Sequence, residues 1–318
     1  MTSVRVATRG SALALWQATH VAGLLRDRGH DVSLVEITTR GDANQREPLS
    51  TLSTSVDGTS TGLFTKEVQR AVLDGRADVA VHSLKDLPTE PVGGLTLAAV
   101  PTRAARHDVL VLPQDRPAVD DAAGLGVLPP SARVGTGSLR REAQLRHTRP
   151  DLCVRGIRGN VDTRLAKLDA GDFDAIVLAA AGLERLGFDA WPTVPLRYPL
   201  LLPAVSQGAL GLECRSDDAG TAAALANLDD PDARREVTAE RHLLRSLRAG
   251  CHAPVGALTR VSAGRVSMTA VVLSADGRVR VSAGGSGRTP EAAADRVLER
   301  LRGRGAELLL DASSPSVP

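Results

Sequence analysis

The chain holds 318 residues, too many for one ordinary hydrophobic core, so two or three domains are expected. Its 42% hydrophobic and 24% charged residues describe a soluble globular protein. A net charge of +2 and only six aromatic residues (two Trp, one Tyr, three Phe) argue against nucleic acid as a partner. Cys153, Cys214 and Cys251 form no paired framework, which points to a reducing compartment. No apolar run reaches signal-peptide or membrane-span length, so a cytoplasmic protein without a membrane partner is expected.

Strand and helix alternate over the first hundred residues. Strands are predicted at 4–7, 32–37, 77–81 and 95–100, with helices at 12–25 and 64–73. Such alternation argues a mostly parallel sheet with helical crossovers. A polar break at 101–107 reads as a hinge. A second set follows: strands at 109–112, 133–135, 153–155 and 175–178, with helices at 138–147 and 161–170. Pro192, Pro195, Pro199 and Pro203 mark the exit from this lobe, and a strand at 209–214 returns to the first sheet. From Pro231 onward one helix, three strands with turns at Ala263-Gly264 and Asp276-Gly277, and a last helix at 291–302 read as a small α+β domain. The expected domains are therefore 1–101 with 206–227, 102–205, and 228–318. The Ser/Pro-rich tail after Asp311 is expected to fray.

Both α/β lobes contain the same device. One strand runs into Thr8-Arg9-Gly10-Ser11 and then a helix; another runs into Thr136-Gly137-Ser138 and then a helix bearing Arg140 and Arg141. Hydroxyls, unpaired backbone N–H groups and an arginine at a helix N-terminus favour anions. Two such lobes predict a cleft suited to a polyanion, although ordinary helix caps with solvated arginines would carry the same residues.

His82-Ser83-Leu84-Lys85-Asp86-Leu87-Pro88 leaves a buried strand at its carboxyl end, where open α/β sheets place ligands. There Lys85 can hold a charged substrate while Asp86 faces a developing cation; a solvated Lys–Asp pair is the plain alternative. Arg155, Arg158, Asn160 and Arg164 form a second basic group, with guanidinium forks suited to carboxylates, although arginines at an exposed helix start are often merely solvated. Cys251 sits in Gly250-Cys251-His252-Ala253-Pro254, where glycine and proline end a helix and leave the thiol in a loop able to carry a covalent group. Cys153 and Cys214 lie in apolar strand-like runs and read as small core residues.

Together these segments resemble the porphobilinogen deaminase (hydroxymethylbilane synthase) family over nearly the whole chain. The resemblance is carried by Ala7 through Ala18, Thr39-Arg40-Gly41-Asp42, Gly62-Leu63-Phe64, His82 through Pro88, Arg158 through Arg164, Ala179 through Leu183, Gln207-Gly208-Ala209 and Gly250-Cys251. It implies an α/β protein of two periplasmic-binding-protein-like lobes with a cleft between them, plus a small C-terminal α+β domain. Cys251 would carry a dipyrromethane cofactor through a thioether. Porphobilinogen would lose ammonia, and the free α-carbon of the growing chain would attack the resulting cation. Four rounds followed by hydrolysis would release hydroxymethylbilane.

The resemblance gives Asp86 the catalytic position. It implies cofactor contacts from Ser83, Lys85, Asp86, Thr136, Ser138, Arg140, Arg141 and Arg158. Substrate contacts would come from Arg9, Ser11, Phe64, Arg158, Arg164 and Gln207, in a monomer that needs no metal. Three stretches depart from the family pattern. Residues 50–61 are Ser/Thr-rich and lack the usual lysines and glycines; His252-Ala253 replaces Gln-Val; Ser206 stands where a glycine is usual before Gln207. Two rival classes are a two-lobed anion-binding protein without catalysis, which leaves Cys251 unexplained, and a Cys–His hydrolase, which adjacent side chains serve poorly.

Overall fold

The computed structural model describes residues 2–38, 65–250 and 253–311. The chain divides into two compact units, Met1–Ala104 with Gly208–Arg234, and Ala105–Gln207 with Arg235–Pro318. In chain order the first unit supplies β1 (Ser3–Arg9), α1 (Ala12–Arg26), β2 (Asp31–Ile37), α2 (Lys66–Leu73), β3 (Val79–Ser83) and β4 (Leu95–Ala99). The second begins with β5 (Asp108–Val111), β6 (Arg133–Gly135), α3 (Leu139–Thr148), β7 (Cys153–Arg155), α4 (Val161–Asp169), β8 (Ala175–Ala179), α5 (Ala180–Leu186) and β9 (Thr193–Leu196). The chain then returns to the first unit with β10 (Leu210–Arg215) and α6 (Ala219–Ala226).

The two α/β sheets share one plan. The first has the order β2-β1-β3-β10-β4 and the second β7-β6-β8-β5-β9. In each, three parallel strands are followed by two that pair antiparallel. Alternate side chains of β1 serve opposite cores: Val4 and Val6 pack with Val21 and Leu25 of α1, whereas Ala7 packs with Val68 and Val72 of α2. Both faces are thus covered, which is why these strands read as nearly continuous apolar runs. The same clamp also recurs: Arg5 grips Asp78 through its backbone N–H, Nε and Nη2 (2.9, 3.0 and 2.8 Å), and Arg133 grips Asp174 through the same three donors.

Two expectations need correcting. The proline-rich stretch is not merely an exit, since Thr193–Leu196 forms β9 with Pro195 inside it; an edge strand tolerates a residue without an N–H. Cys153 is partly exposed and accepts from Arg155 Nε at 3.2 Å, because β7 lies at the sheet edge. Cys214 is fully buried, as expected.

The C-terminal part comprises α7 (Pro231–Ser246), β11 (Val255–Ser262), β12 (Arg265–Leu273), β13 (Arg280–Gly287), α8 (Pro290–Arg302) and α9 (Ala306–Asp311). Its three strands form an antiparallel meander in chain order. α8 lies directly on β13; a Cβ at Gly287 would come within 2.6 Å of the Ala293 nitrogen. Arg296, Arg300 and Arg304 reach back to the carbonyls of Ser286, Gly284 and Ser282, and Arg235 to that of Arg288. The turn between β12 and β13 rests on α3, where Gly277 (φ +75°) leaves no room for a Cβ beside the Ala143 carbonyl. Among the described residues no helix is long and apolar enough to cross a membrane.

Candidate functional site

In the first unit the parallel strands β1 and β3 end at one edge of the sheet. β1 delivers Arg9 there, and Ser11 caps α1 by accepting from the Ala14 N–H at 3.4 Å. β3 ends at Ser83, whose Oγ accepts from Gln17 Nε2 of α1 at 2.8 Å. A single 3₁₀ turn, Leu84–Asp86, follows; it keeps Leu84 buried, Lys85 half-buried and Asp86 exposed. β10 starts at this edge too, and the Ala209 carbonyl accepts from the Leu84 N–H at 3.0 Å. One step behind the turn, His82 Nε2 lies 3.0 Å from the buried Glu213 carboxylate, which also accepts from Gln69. The structure therefore brings Arg9, Ser11, Ser83, Lys85 and Asp86 to one sheet edge. It leaves the Asp86 carboxylate open to a ligand.

In the second unit the corresponding turn follows β6. Thr136 is buried; its N–H donates to the Arg155 carbonyl (2.9 Å) and its Oγ1 accepts from the Ser138 N–H (3.2 Å). Gly137 is obligatory, because a Cβ would sit 2.9 Å from the Ile157 carbonyl oxygen. Arg140 and Arg141 on α3 are buried rather than solvated, and both pair with Asp108 at the start of β5. Gln207 Nε2 donates to Asp108 (2.9 Å) and to the Arg106 carbonyl (2.7 Å). Burial opposes ionisation of Asp108, but the two guanidiniums and their hydrogen bonds outweigh it and hold the carboxyl far below the usual carboxylate range. Arg158 is exposed, whereas Arg164 is half-buried and donates Nε to the Gly159 carbonyl (2.8 Å).

Three sequence-predicted residues have outcomes of another kind. Ser138 precedes α3 without a side-chain capping bond. Cys251 and Phe64 lie outside the described residues. Ala253 N–H donates to the Gly250 carbonyl, and α7 runs up to Ser246.

Sequence reasoning missed Asp108. Asp108 opens an apolar strand and carries no local signal; its partners stand over thirty residues away. Arg185 lies on α5, which begins at the carboxyl end of β8, and burial pulls its pKa down. Among the described residues no group of three or more His, Cys, Asp or Glu is placed to hold a metal ion.

Comparison with known proteins adds to this geometry. A family model described as "Porphobilinogen deaminase, dipyromethane cofactor binding domain" matches residues 4–223, and one described as "Porphobilinogen deaminase, C-terminal domain" matches residues 234–302. A porphobilinogen deaminase of Xanthomonas euvesicatoria pv. vesicatoria is 47% identical over 314 residues, covering 98% of this chain and 99% of the relative. One from Stenotrophomonas maltophilia is 47% identical over 315 residues, covering 98% and 100%. Among solved structures, the VFT2 domain of Bordetella pertussis BvgS covers 75% of this chain and 91% of its own, at 17% identity and a TM-score of 0.42.

Proposed function

This chain belongs to the porphobilinogen deaminase family, and on that premise we propose that it condenses four porphobilinogen molecules head to tail, releasing ammonia at each addition and hydroxymethylbilane by final hydrolysis. Each pyrrole brings an acetate and a propionate, so the growing product is a growing polyanion. The observation that carries the assignment of residues is Arg140: its guanidinium is buried, yet its Nε has no partner among the described residues. A buried donor left open costs free energy unless a ligand meets it, and a pyrrole carboxylate is the matching acceptor.

The buried Thr136 and the open Nε of Arg140 at the turn after β6 suit the carboxylates of a dipyrromethane group, which would be anchored by a Cys251 thioether. When bound, that group supplies the free pyrrole α-carbon to which each new ring adds. Thr136, Ser138, Arg140 and Arg158 would hold acetate and propionate groups of the pyrrole chain, the cofactor's own and those of added rings, with Arg141 anchored beside Arg140. Arg9, Ser11 and Arg164 would receive those of incoming rings. Ser83 and Lys85 orient the ring beside Asp86. The Asp86 carboxylate faces the pyrrole N–H, stabilises the cation left by loss of ammonia and takes up the proton released on bond formation. Gln207 commits its Nε2 to Asp108 and the Arg106 carbonyl, and a substrate contact would fall to the rest of its amide. Phe64 would pack against a pyrrole ring. We take the working form to be a cytoplasmic monomer.

Family membership disfavours a non-catalytic anion-binding protein. Intact-mass measurement of the purified chain tests the assignment. The expected result is a mass above that of the sequence by one dipyrromethane unit, mapping to the peptide that contains Cys251. A fully active preparation with an unmodified Cys251 would overturn it.

A further inference from the structure

Two adjacent arginines on α3 spend their donors differently. Arg141 gives Nε and Nη2 to Asp108 Oδ1 (3.0 and 2.8 Å) and Nη1 to the Val177 carbonyl (3.0 Å). Arg140 gives only Nη1, to Asp108 Oδ2 (2.8 Å) and to the Leu202 carbonyl (2.6 Å). Its Nε, on the side-on edge of the fork that suits a carboxylate, is buried with no partner among the described residues. Arg141 is anchored; Arg140 is anchored on one side and open on the other.

We propose that Asp108 is the positioning residue of this anion site, fixing both guanidiniums so that the open edge of Arg140 is held ready for a carboxylate of the pyrrole chain. This rests on the reading of Arg140 given above. One buried carboxylate faces two buried guanidiniums, so the cluster keeps a net positive charge that a ligand carboxylate neutralises. The frame around it is rigid. Gln207 bridges Asp108 to the Arg106 carbonyl, Gln144 holds Leu202 through its N–H and its carbonyl (2.8 and 3.1 Å), and Arg106 is itself paired with Glu236 at 3.0 Å. Asp108 therefore works before any ligand arrives, by removing rotamers from Arg140 that binding would otherwise have to freeze.

The test uses the cofactor-loaded enzyme and the variants Asp108→Glu, Arg140→Gln and the two combined. Asp108→Glu keeps the charge but pushes both guanidiniums outward by one methylene. We expect it to raise KM for porphobilinogen about tenfold, more than it lowers kcat, and to lower the fraction of chains carrying the dipyrromethane by intact mass. Because Asp108 acts through Arg140, the double variant should be no worse than Arg140→Gln alone. A folded Asp108→Glu with parental KM and loading, or effects that multiply in the double variant, overturns the proposal. If Asp108→Glu does not fold, Asp108→Asn decides by the same readings. Parental behaviour of Arg140→Gln would instead remove the reading beneath it.

Discussion

The Ser206 N–H donates to the fully buried Glu240 carboxylate over 2.7 Å, tying the segment before Gln207 to α7. To make that bond Ser206 adopts φ +61°, the left-handed region that favours glycine. Its own Oγ is buried without a partner among the described residues. The glycine usual at this position is thus explained by backbone geometry, and the serine stores strain. Ser206→Gly should stabilise the protein by about 0.5–1 kcal/mol, the left-handed penalty less the extra chain entropy of glycine. Denaturant unfolding measures it, and an unchanged or lower midpoint would show that the Oγ is satisfied after all.

Asp86 is exposed at the end of its 3₁₀ turn, so its replacement leaves no buried group stranded. Asp86→Asn should keep the melting temperature while reducing turnover by at least about a hundredfold, the scale of a lost acid–base group. Near-parental consumption of porphobilinogen by the folded variant would remove Asp86 from the chemistry.

The three cysteines should separate by role. Cys251→Ser should abolish normal thioether attachment and most activity, since a hydroxyl is a poorer nucleophile than a thiolate. Cys214→Ser buries a hydroxyl in an apolar core and should cost about 1–3 kcal/mol with attachment intact. Cys153→Ser, at a partly exposed sheet edge, should do little to either. Loss of attachment in Cys153→Ser or Cys214→Ser would place the anchor elsewhere.

Acid should weaken the protein through its paired arginine clamps. The Arg5 hydrogen bond lowers the Asp78 pKa against the opposing effect of burial, and Arg133 does the same for Asp174. A depressed folded pKa adds stability that is complete above the unfolded value near 3.9 and is lost as pH falls through the folded one. Asp78→Asn should therefore lower the melting temperature at pH 7, with the gap to the parent closing below about pH 4. A gap that stays constant into acid would mean that the clamp contributes through shape alone.

Much of the fold was legible because local patterns carry it: the β1–α1–β2 alternation and both glycine-bearing turns follow from neighbours in sequence. What escaped depends on distant partners. Asp108 is a hub only because α3 brings two arginines to it. Cys153 was read as buried because an apolar strand does not say whether it lies at the centre or the edge of its sheet, and Pro195 was read as a break for the same reason. The departure at Ser206 was visible in sequence, but its cost became readable only from φ. Asp86 and Lys85 were legible as a strand-end pair, whereas the exposure of the carboxylate is set by the turn that follows.

The arginines of the C-terminal part close something that sheets ordinarily leave open. A lateral strand offers its outward carbonyls as a template to any extended segment it meets. Four residues of helix rise about 6 Å and two residues of strand nearly 7 Å, so Arg296 and Arg300 of α8, with Arg304 in the turn after it, can engage β13 tooth by tooth. Arg304, Arg300 and Arg296 take the carbonyls of residues 282, 284 and 286, and Arg235 takes the next at 288. That margin of the domain is hemmed by its own side chains, and a stray strand from another copy finds those acceptors already occupied.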